Sequence, residues 1–327
     1  MVSNSRIRIG SAPDSWGVWF PSDPVQVPAD RFLAEVSASG YEWIELGPYG
    51  YLPTDPAQLQ DQLDAHHLKV SAGTVFSRLH HENSWDEVWK QVTDVAALTQ
   101  AVGGQHIVVI PFMWRDDKTG LAIESREFSE EQWTRITTGH DELGRRILDE
   151  YGLHVQFHSH ADSHVGYQKD IERFVESTNP DYVNLCLDTG HVAYYGGDSV
   201  GLIQKYPERI GYLHLKAVDP VLRAEVLAND ISFSEAVKRG IMIEPPAGEP
   251  NLDEVLTAAR ALDRDLYGIV EQDLYPCPVD MPFPIARRTH TFLSSCGDPS
   301  WLEIGTQHPL STDTAETTEN SKGTIDV

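Results

Sequence analysis

The chain has 327 residues, 40% hydrophobic and 9% aromatic, which excludes a disordered or fibrous chain and suits two domains or one (β/α)8 barrel with extensions. Lys and Arg number 25 against 50 Asp and Glu, a net charge of −25 that argues against nucleic-acid and membrane partners. No apolar run approaches the ~20 residues of a bilayer span, residues 1–10 hold no apolar signal core, and Cys186, Cys277 and Cys296 lack the C-x-x-C spacing of a thiolate site. The expectation is a soluble, acidic, cytoplasmic protein.

Short β-rich runs alternate with longer amphipathic stretches. The first run, Arg6–Ala12, leads to a helix over Pro28–Ser39, with proline in the first turn and Gly40 as its stop. The second, Tyr41–Leu46, precedes a shorter helix after Asp55. The third, Lys69–Val75, precedes Trp85–Val102, where Val88, Val92, Val95, Ala96 and Leu98 recur at helical spacing before Gly103 and Gly104. The fourth, His106–Pro111, precedes Ser129–Tyr151, which Ser129 and Gln132 open as a capping box. The fifth, His154–His160, is followed by Tyr167–Ser177, and the sixth, Val183–Asp188, by a short helix after Asp198.

The seventh run, Ile210–Val218, feeds an insertion at 220–249 that holds a helix-like Ile231–Arg239 and the segment Glu244-Pro245-Pro246-Ala247-Gly248. A loop of that size after a barrel strand reads as a lid or an interface. Helix Asn251–Leu262 and the eighth run, Leu266–Asp273, complete the series. Eight parallel units joined by right-handed crossovers are the number that closes a TIM barrel; an open doubly wound sheet more often has five to seven. Residues 1–297 therefore read as one (β/α)8 catalytic domain, and 298–327, rich in Thr, Ser and acids, as a flexible tail.

Reactive groups in such a barrel project from the carboxyl ends of strands. On the fifth run, residues 154, 156, 158 and 160 share one face, which must point inward because Val155 and Phe157 face the helices. The sixth run ends Leu187-Asp188-Thr189-Gly190-His191, the seventh passes His214-Leu215-Lys216, and the eighth ends Val270-Glu271-Gln272-Asp273. Four successive strands thus offer a His or a carboxylate at one height. His158, Asp188, His214 and Glu271 read as ligands of one divalent cation, because carboxylates buried there need a neutralising charge. Imidazole and carboxylate donors without thiolate suit Mn2+, Co2+, Fe2+ or Zn2+. The plainer alternative is a ring of solvated loop polars around an open pocket.

These residues, with Ala12-Pro13-Asp14-Ser15-Trp16-Gly17 on the first strand, resemble the xylose-isomerase-like sugar phosphate isomerase/epimerase superfamily over residues 6–293. Within it the sequence is most similar to the inosose dehydratase branch, and in general organisation to the catalytic subunit of C-glycoside deglycosidases. That group acts on 3-keto-glucosides with Mn2+ and pairs with a small β-rich subunit. The resemblance implies one divalent metal, Mn2+ first with Co2+ or Zn2+ as alternatives, held by His158, Asp188, His214 and Glu271, with His160 a rival for the first position. It implies a sugar or cyclitol substrate, and a homo-oligomer or a second subunit as partner. Two departures bear on substrate: Ala217 follows Lys216 where the dehydratases carry Asp, and Ala247-Gly248-Glu249-Pro250-Asn251 replaces their Gly-Asp-Gly-like turn.

The chemistry so implied is proton abstraction beside a carbonyl, followed by β-elimination, epimerisation or isomerisation. Glu271 and His160 are the acid/base candidates, and Lys216, on the same face as His214, is a candidate oxyanion or hydroxyl contact. His191, Glu45 and Trp16 are candidate substrate contacts, with Trp19 and Phe20 beside Trp16. Arg78, His80 and His81 are weaker candidates, and His67, His106 and His140 read as non-functional. Two other classes stay open. A trinuclear nuclease of the same superfamily is disfavoured by the charge, and a non-catalytic sugar-binding subunit is disfavoured by the intact ligand set.

Overall fold

The β-branched runs form parallel strands because each is apolar toward the helices and fully paired with its neighbours. The structure is a computed structural model that describes residues 5–296 and 299–310. Eight strands, β1 (Ile7–Ser11), β2 (Trp43–Glu45), β3 (Lys69–Ser77), β4 (His106–Pro111), β5 (His154–His158), β6 (Val183–Asp188), β7 (Ile210–Leu215) and β8 (Leu266–Val270), pair in sequence. β1 pairs with both β8 and β2, which closes the barrel. This is the expected (β/α)8 TIM barrel.

The inward and outward faces of β5 fall as the alternation requires. Phe157 points out and stacks on Phe174 of helix Gln168–Ser177, with ring centroids 3.7 Å apart. Gln156 and His158 point in and are buried. Ala72, Val108, Cys186, Tyr212, Tyr267 and Ile269 fill the barrel interior, so its lower half is a packed core and only the carboxyl end is open.

Several boundaries differ from expectation. β5, β7 and β8 stop at His158, Leu215 and Val270, short of His160, Val218 and Asp273. Pro28 is the N-cap of helix Ala29–Ala38 rather than its first residue. Residues 299–310, assigned to the tail from composition, carry a short strand, β9 (Leu302–Glu303), paired to Ile7 and Arg8 of β1. The three-residue β2 reaches only Gly10 and Ser11, and β9 covers the edge that it leaves open. The remainder of that tail, 311–327, and residues 1–4 lie outside the described residues. No helix among the described residues is long and apolar enough to cross a membrane.

The insertion after β7 folds onto the carboxyl end. Helix Pro220–Ala228 is capped by Asp219 and helix Phe233–Lys238 by Ser232. Val226, Phe233, Ala236, Val237, Ile241 and Met242 pack with Ala161, Ala193 and Tyr194 from the barrel loops.

His140 gives the fold an acid sensitivity. It is fully buried in helix Glu130–Tyr151, edge-on to Phe157 and Phe174, with Nδ1 2.7 Å from the Ile136 carbonyl. Burial lowers its pKa to about 4 despite that carbonyl. The unfolded chain takes a proton near pH 6.5 and the folded chain does not, so this stability is present above pH 6.5 and is lost as pH falls toward 4. Between pH 7 and 5 the loss is expected to be about 2 kcal/mol from this residue. Urea midpoints at the two pH values check it, and His140→Met should flatten the difference.

Candidate metal centre and active site

The local sequence after β6 shows how the site is built. Asp188 turns one carboxylate oxygen back to cap helix Thr189–Tyr194, accepting from the His191 N–H at 2.8 Å. Its other oxygen is left facing the barrel axis. Thr189 locks the neighbouring strand: its hydroxyl donates to the Lys216 carbonyl (2.6 Å) and accepts from the Lys216 N–H (2.9 Å). Gly190 leaves room for the Lys216 stem, since a Cβ there would lie 2.4 Å from Lys216 Cγ.

The segment after β1 performs the same service for β8. The hydroxyls of Ser11 and Ser15 donate to the Val270 carbonyl at 2.9 and 3.1 Å, and Ser15 accepts from the Gln272 N–H at 2.8 Å. Glu271 is fixed between these anchors. Trp16 does not reach the cavity, which corrects its assignment as a substrate contact. The 3-10 turn Pro13–Trp16 points it inward, where it is fully buried against Phe32 and donates its indole N–H to Glu35 at 2.9 Å. Trp19 and Phe20 line the cavity instead.

His158, Asp188, His214 and Glu271 converge, each offering one donor atom within 4.8 Å of the others. His158 Nε2 lies 3.2 Å from Asp188 Oδ2. His214 Nε2 donates to Glu45 at 2.6 Å, and Thr74 holds the other Glu45 oxygen at 3.0 Å. That bond turns His214 Nδ1 to the space shared by Glu271 Oε2 (2.8 Å) and Asp188 Oδ2 (3.6 Å). Nδ1 is buried and has no hydrogen-bond partner. An orphaned imidazole nitrogen aimed between two buried carboxylates is the environment a divalent cation fits. Glu45, expected as a substrate contact, both lines the cavity and orients His214. His160 lies one step above and outside the group of four, its Nδ1 2.6 Å from the Ala161 carbonyl.

Lys216 sits at the centre of the remaining charge. Its buried Nζ lies 3.2 Å from Asp188, 3.3 Å from Glu271 and 2.8 Å from Asp273. Burial opposes its charge, but these carboxylates raise its pKa well above the ordinary lysine value. Burial likewise works against Asp188, yet the Lys216 ammonium holds it well below the carboxylate range. Glu271 falls to about 2 against its burial, through His214 and Lys216. Burial lowers His160 to about 3, so its ring stays neutral. Burial and the Glu271 charge raise Asp14 well above the usual range.

All of this faces one cavity, walled by Trp19, Phe20, Phe76, Ile110, Arg115 and Phe233. His191 reaches it as a ring held neutral by burial, with Nδ1 3.1 Å from the Ala161 N–H and Nε2 3.3 Å from Lys216 Nζ. The sequence reading missed Asp14, Asp273 and Thr74 in this wall. Asp14 and Asp273 stood in quoted segments, but neither had a partner that sequence spacing could reveal. The insertion contributes Ser232, Phe233 and Ser234, so it forms part of the cavity mouth.

With this geometry in view, a family model described as "Xylose isomerase-like TIM barrel" matches residues 33–270. An inosose dehydratase of Lacticaseibacillus casei is 28% identical over 295 residues, covering 88% of this chain and 97% of the relative. Inosose dehydratase 2 of Bacillus cereus is 25% identical over 307 residues, covering 90% and 98%. Among solved structures, the IolI protein with a bound zinc atom superposes with a TM-score of 0.67 at 19% identity, covering 89% of this chain and all of that one. The probable 3-DHS dehydratase AsbF of Bacillus anthracis gives 0.66 at 13% identity, with the same coverage. At those identities the structures speak for the fold.

Proposed function

The chain belongs to the xylose isomerase-like TIM barrel family, and from that premise we propose that it is a divalent-metal-dependent lyase removing water from a keto-cyclitol of the inosose type. The observation that carries the reading is the group His158, Asp188, His214 and Glu271, with Lys216 beside it, at the floor of a cavity that admits one sugar-sized ring. The inosose dehydratases matched over nearly their whole length support the substrate class.

A cation held by those four residues, Mn2+ first with Co2+ or Zn2+ as alternatives, supplies Lewis-acid polarisation of the substrate carbonyl. The chain's own residues do the rest. Glu271, kept ionised, and His160, kept neutral, are the two groups able to take the proton from the carbon beside the carbonyl. The electron pair of that C–H bond forms the new C=C bond, and the C–O bond to the neighbouring hydroxyl breaks. The departing hydroxide takes a proton from the wall and leaves as water; Asp14, held in its protonated form, is the acid placed to give it. Lys216 donates toward developing oxyanion charge, and His191, in the cavity wall beside it, contacts a ring hydroxyl. Trp19 and Phe20 offer flat faces to the C–H side of the ring.

The test is turnover of keto-inositols and 3-keto-glucosides by the Mn2+-loaded protein, read by product mass. Loss of one water is the expected result. Loss of an aglycone would move the assignment to the C-glycoside deglycosidases. Unchanged mass with deuterium taken up from solvent would move it to the epimerases of the family. Binding of the sugar without any turnover would leave a sugar-binding subunit.

A further inference from the structure

The βα loops after β3, β4 and β5 carry imidazoles and a carboxylate that the cavity does not use. His80 and His81 follow β3, Glu124 stands in the loop after β4, and His164 in the loop after β5. None of the four lines the cavity. They nevertheless meet: His80 Nε2 lies 3.1 Å and His164 Nε2 3.8 Å from Glu124 Oε2, and His81 Nε2 lies 2.9 Å from Glu124 Oε1. His80 is fully buried, the His164 side chain is 1% exposed, and Phe128 stacks on the His164 ring at 4.0 Å.

Charge is the difficulty in this cluster. Glu124 pairs with these three imidazoles, and no Lys or Arg among the described residues forms an ion pair with it. The carboxylate, with 20% of its side chain exposed, is ringed by imidazoles alone. Two of those rings, His80 and His164, are buried, and one donor atom from each of His80, Glu124 and His164 lies within 4.8 Å of the others, an arrangement that fits a cation.

We propose that His80, His81, Glu124 and His164 form a second metal site, for a Zn2+-class transition ion, that clips three βα loops together at the rim of the barrel. Three imidazoles and one carboxylate are a donor set that zinc takes. Metal–nitrogen bonds of about 2.05 Å imply tetrahedral donor–donor edges of about 3.3 Å. The separations of 3.1 and 3.8 Å from Glu124 Oε2 to His80 and His164 bracket that edge, and His81 reaches the other carboxylate oxygen at 2.9 Å. His164 Nε2 now donates to the Ser125 carbonyl at 2.8 Å, and binding exchanges that hydrogen bond for the ion, its proton passing to Nδ1. The role is structural. The loop after β4, pinned at Glu124, also supplies Met113, Arg115, Asp116 and Asp117 to the cavity wall.

The experiment is metal counting on the full chain after equilibration with Zn2+ and dialysis. The wild-type protein should hold about two Zn2+ per chain. His214→Ala should keep the rim ion alone, and Glu124→Gln should keep the floor ion alone, with rim affinity lowered by roughly 100-fold or more. Glu124→Gln conserves shape at a partly exposed position, and the double variant His80→Gln/His164→Gln repeats the test from the nitrogen side. A second readout is melting temperature, which added Zn2+ should still raise in His214→Ala through the rim site and raise less in Glu124→Gln than in wild type. One ion in the wild type that vanishes in His214→Ala would overturn the rim site without touching the floor site. So would two ions that both persist in Glu124→Gln and in the double variant.

Discussion

Stripping divalent metal with a chelator is expected to lower turnover of a keto-cyclitol by roughly 10³-fold or more, since Lewis-acid polarisation supplies several kcal/mol and each 1.4 kcal/mol is tenfold. Added Mn2+ should restore the rate. In His214→Ala it should not, because the nitrogen that faces Glu271 and Asp188 is gone and Glu45 loses the ring it orients. Glu45→Gln is the informative intermediate. It still accepts from His214 Nε2 but no longer carries the charge that increases the ring's basicity, so metal affinity should fall by roughly 10- to 100-fold with turnover largely recovered at saturating metal. Rates unchanged in chelator, with metal analysis confirming removal, would end the metal-dependent reading. The rim cluster does not confuse the result, because Glu124→Gln removes that ion while leaving every residue of the cavity floor in place.

The floor of the site was readable because strand alternation is strict. A period of two puts 154, 156 and 158 on one face, and the outward contact of Phe157 with Phe174 leaves them no other direction. The same parity placed Lys216 with His214, and the ladder aligns Asp188 with His214. Parity fails where a strand ends. Trp16 lies beyond β1 in a 3-10 turn, and its direction follows from a hydrogen bond to Glu35, a residue of the next helix that no local pattern joins to it. Asp14 was passed over for the same reason, since it sits in that turn; Thr74 lies inside β3, and its bond to Glu45 of the adjacent β2 is a side-chain pairing that parity alone does not name. The rim cluster is further out of reach, since His80, Glu124 and His164, with His81 beside them, span residues 80 to 164 and meet only when three loops close. Composition misjudged 299–310 as well. A polar segment with two strand-forming residues was enough to cover the edge beside the short β2.

Lys216 carries the other large expectation. Lys216→Met should cost about 3 kcal/mol of stability or more, because Asp188, Glu271 and Asp273 would then lie buried without their shared cation. In a chain of this size that is a drop in melting temperature of roughly 4 °C or more. Turnover should fall by about 10²- to 10⁴-fold at saturating metal, as for loss of a group placed against developing charge. Gly190 gives a test that separates the position of the ammonium from its presence. Gly190 lies within helix Thr189–Tyr194, where alanine ordinarily stabilises by about 1 kcal/mol over glycine. Here the added Cβ would stand 2.4 Å from Lys216 Cγ and 2.8 Å from its Cδ, so the stem must leave its channel and carry Nζ away from the three carboxylates. Gly190→Ala is therefore expected to destabilise, against its helix propensity, and to reduce turnover in the direction of Lys216→Met while keeping the charge. A Gly190→Ala protein that melts higher than wild type at undiminished turnover would show that the ammonium's position between those carboxylates is not what the glycine protects.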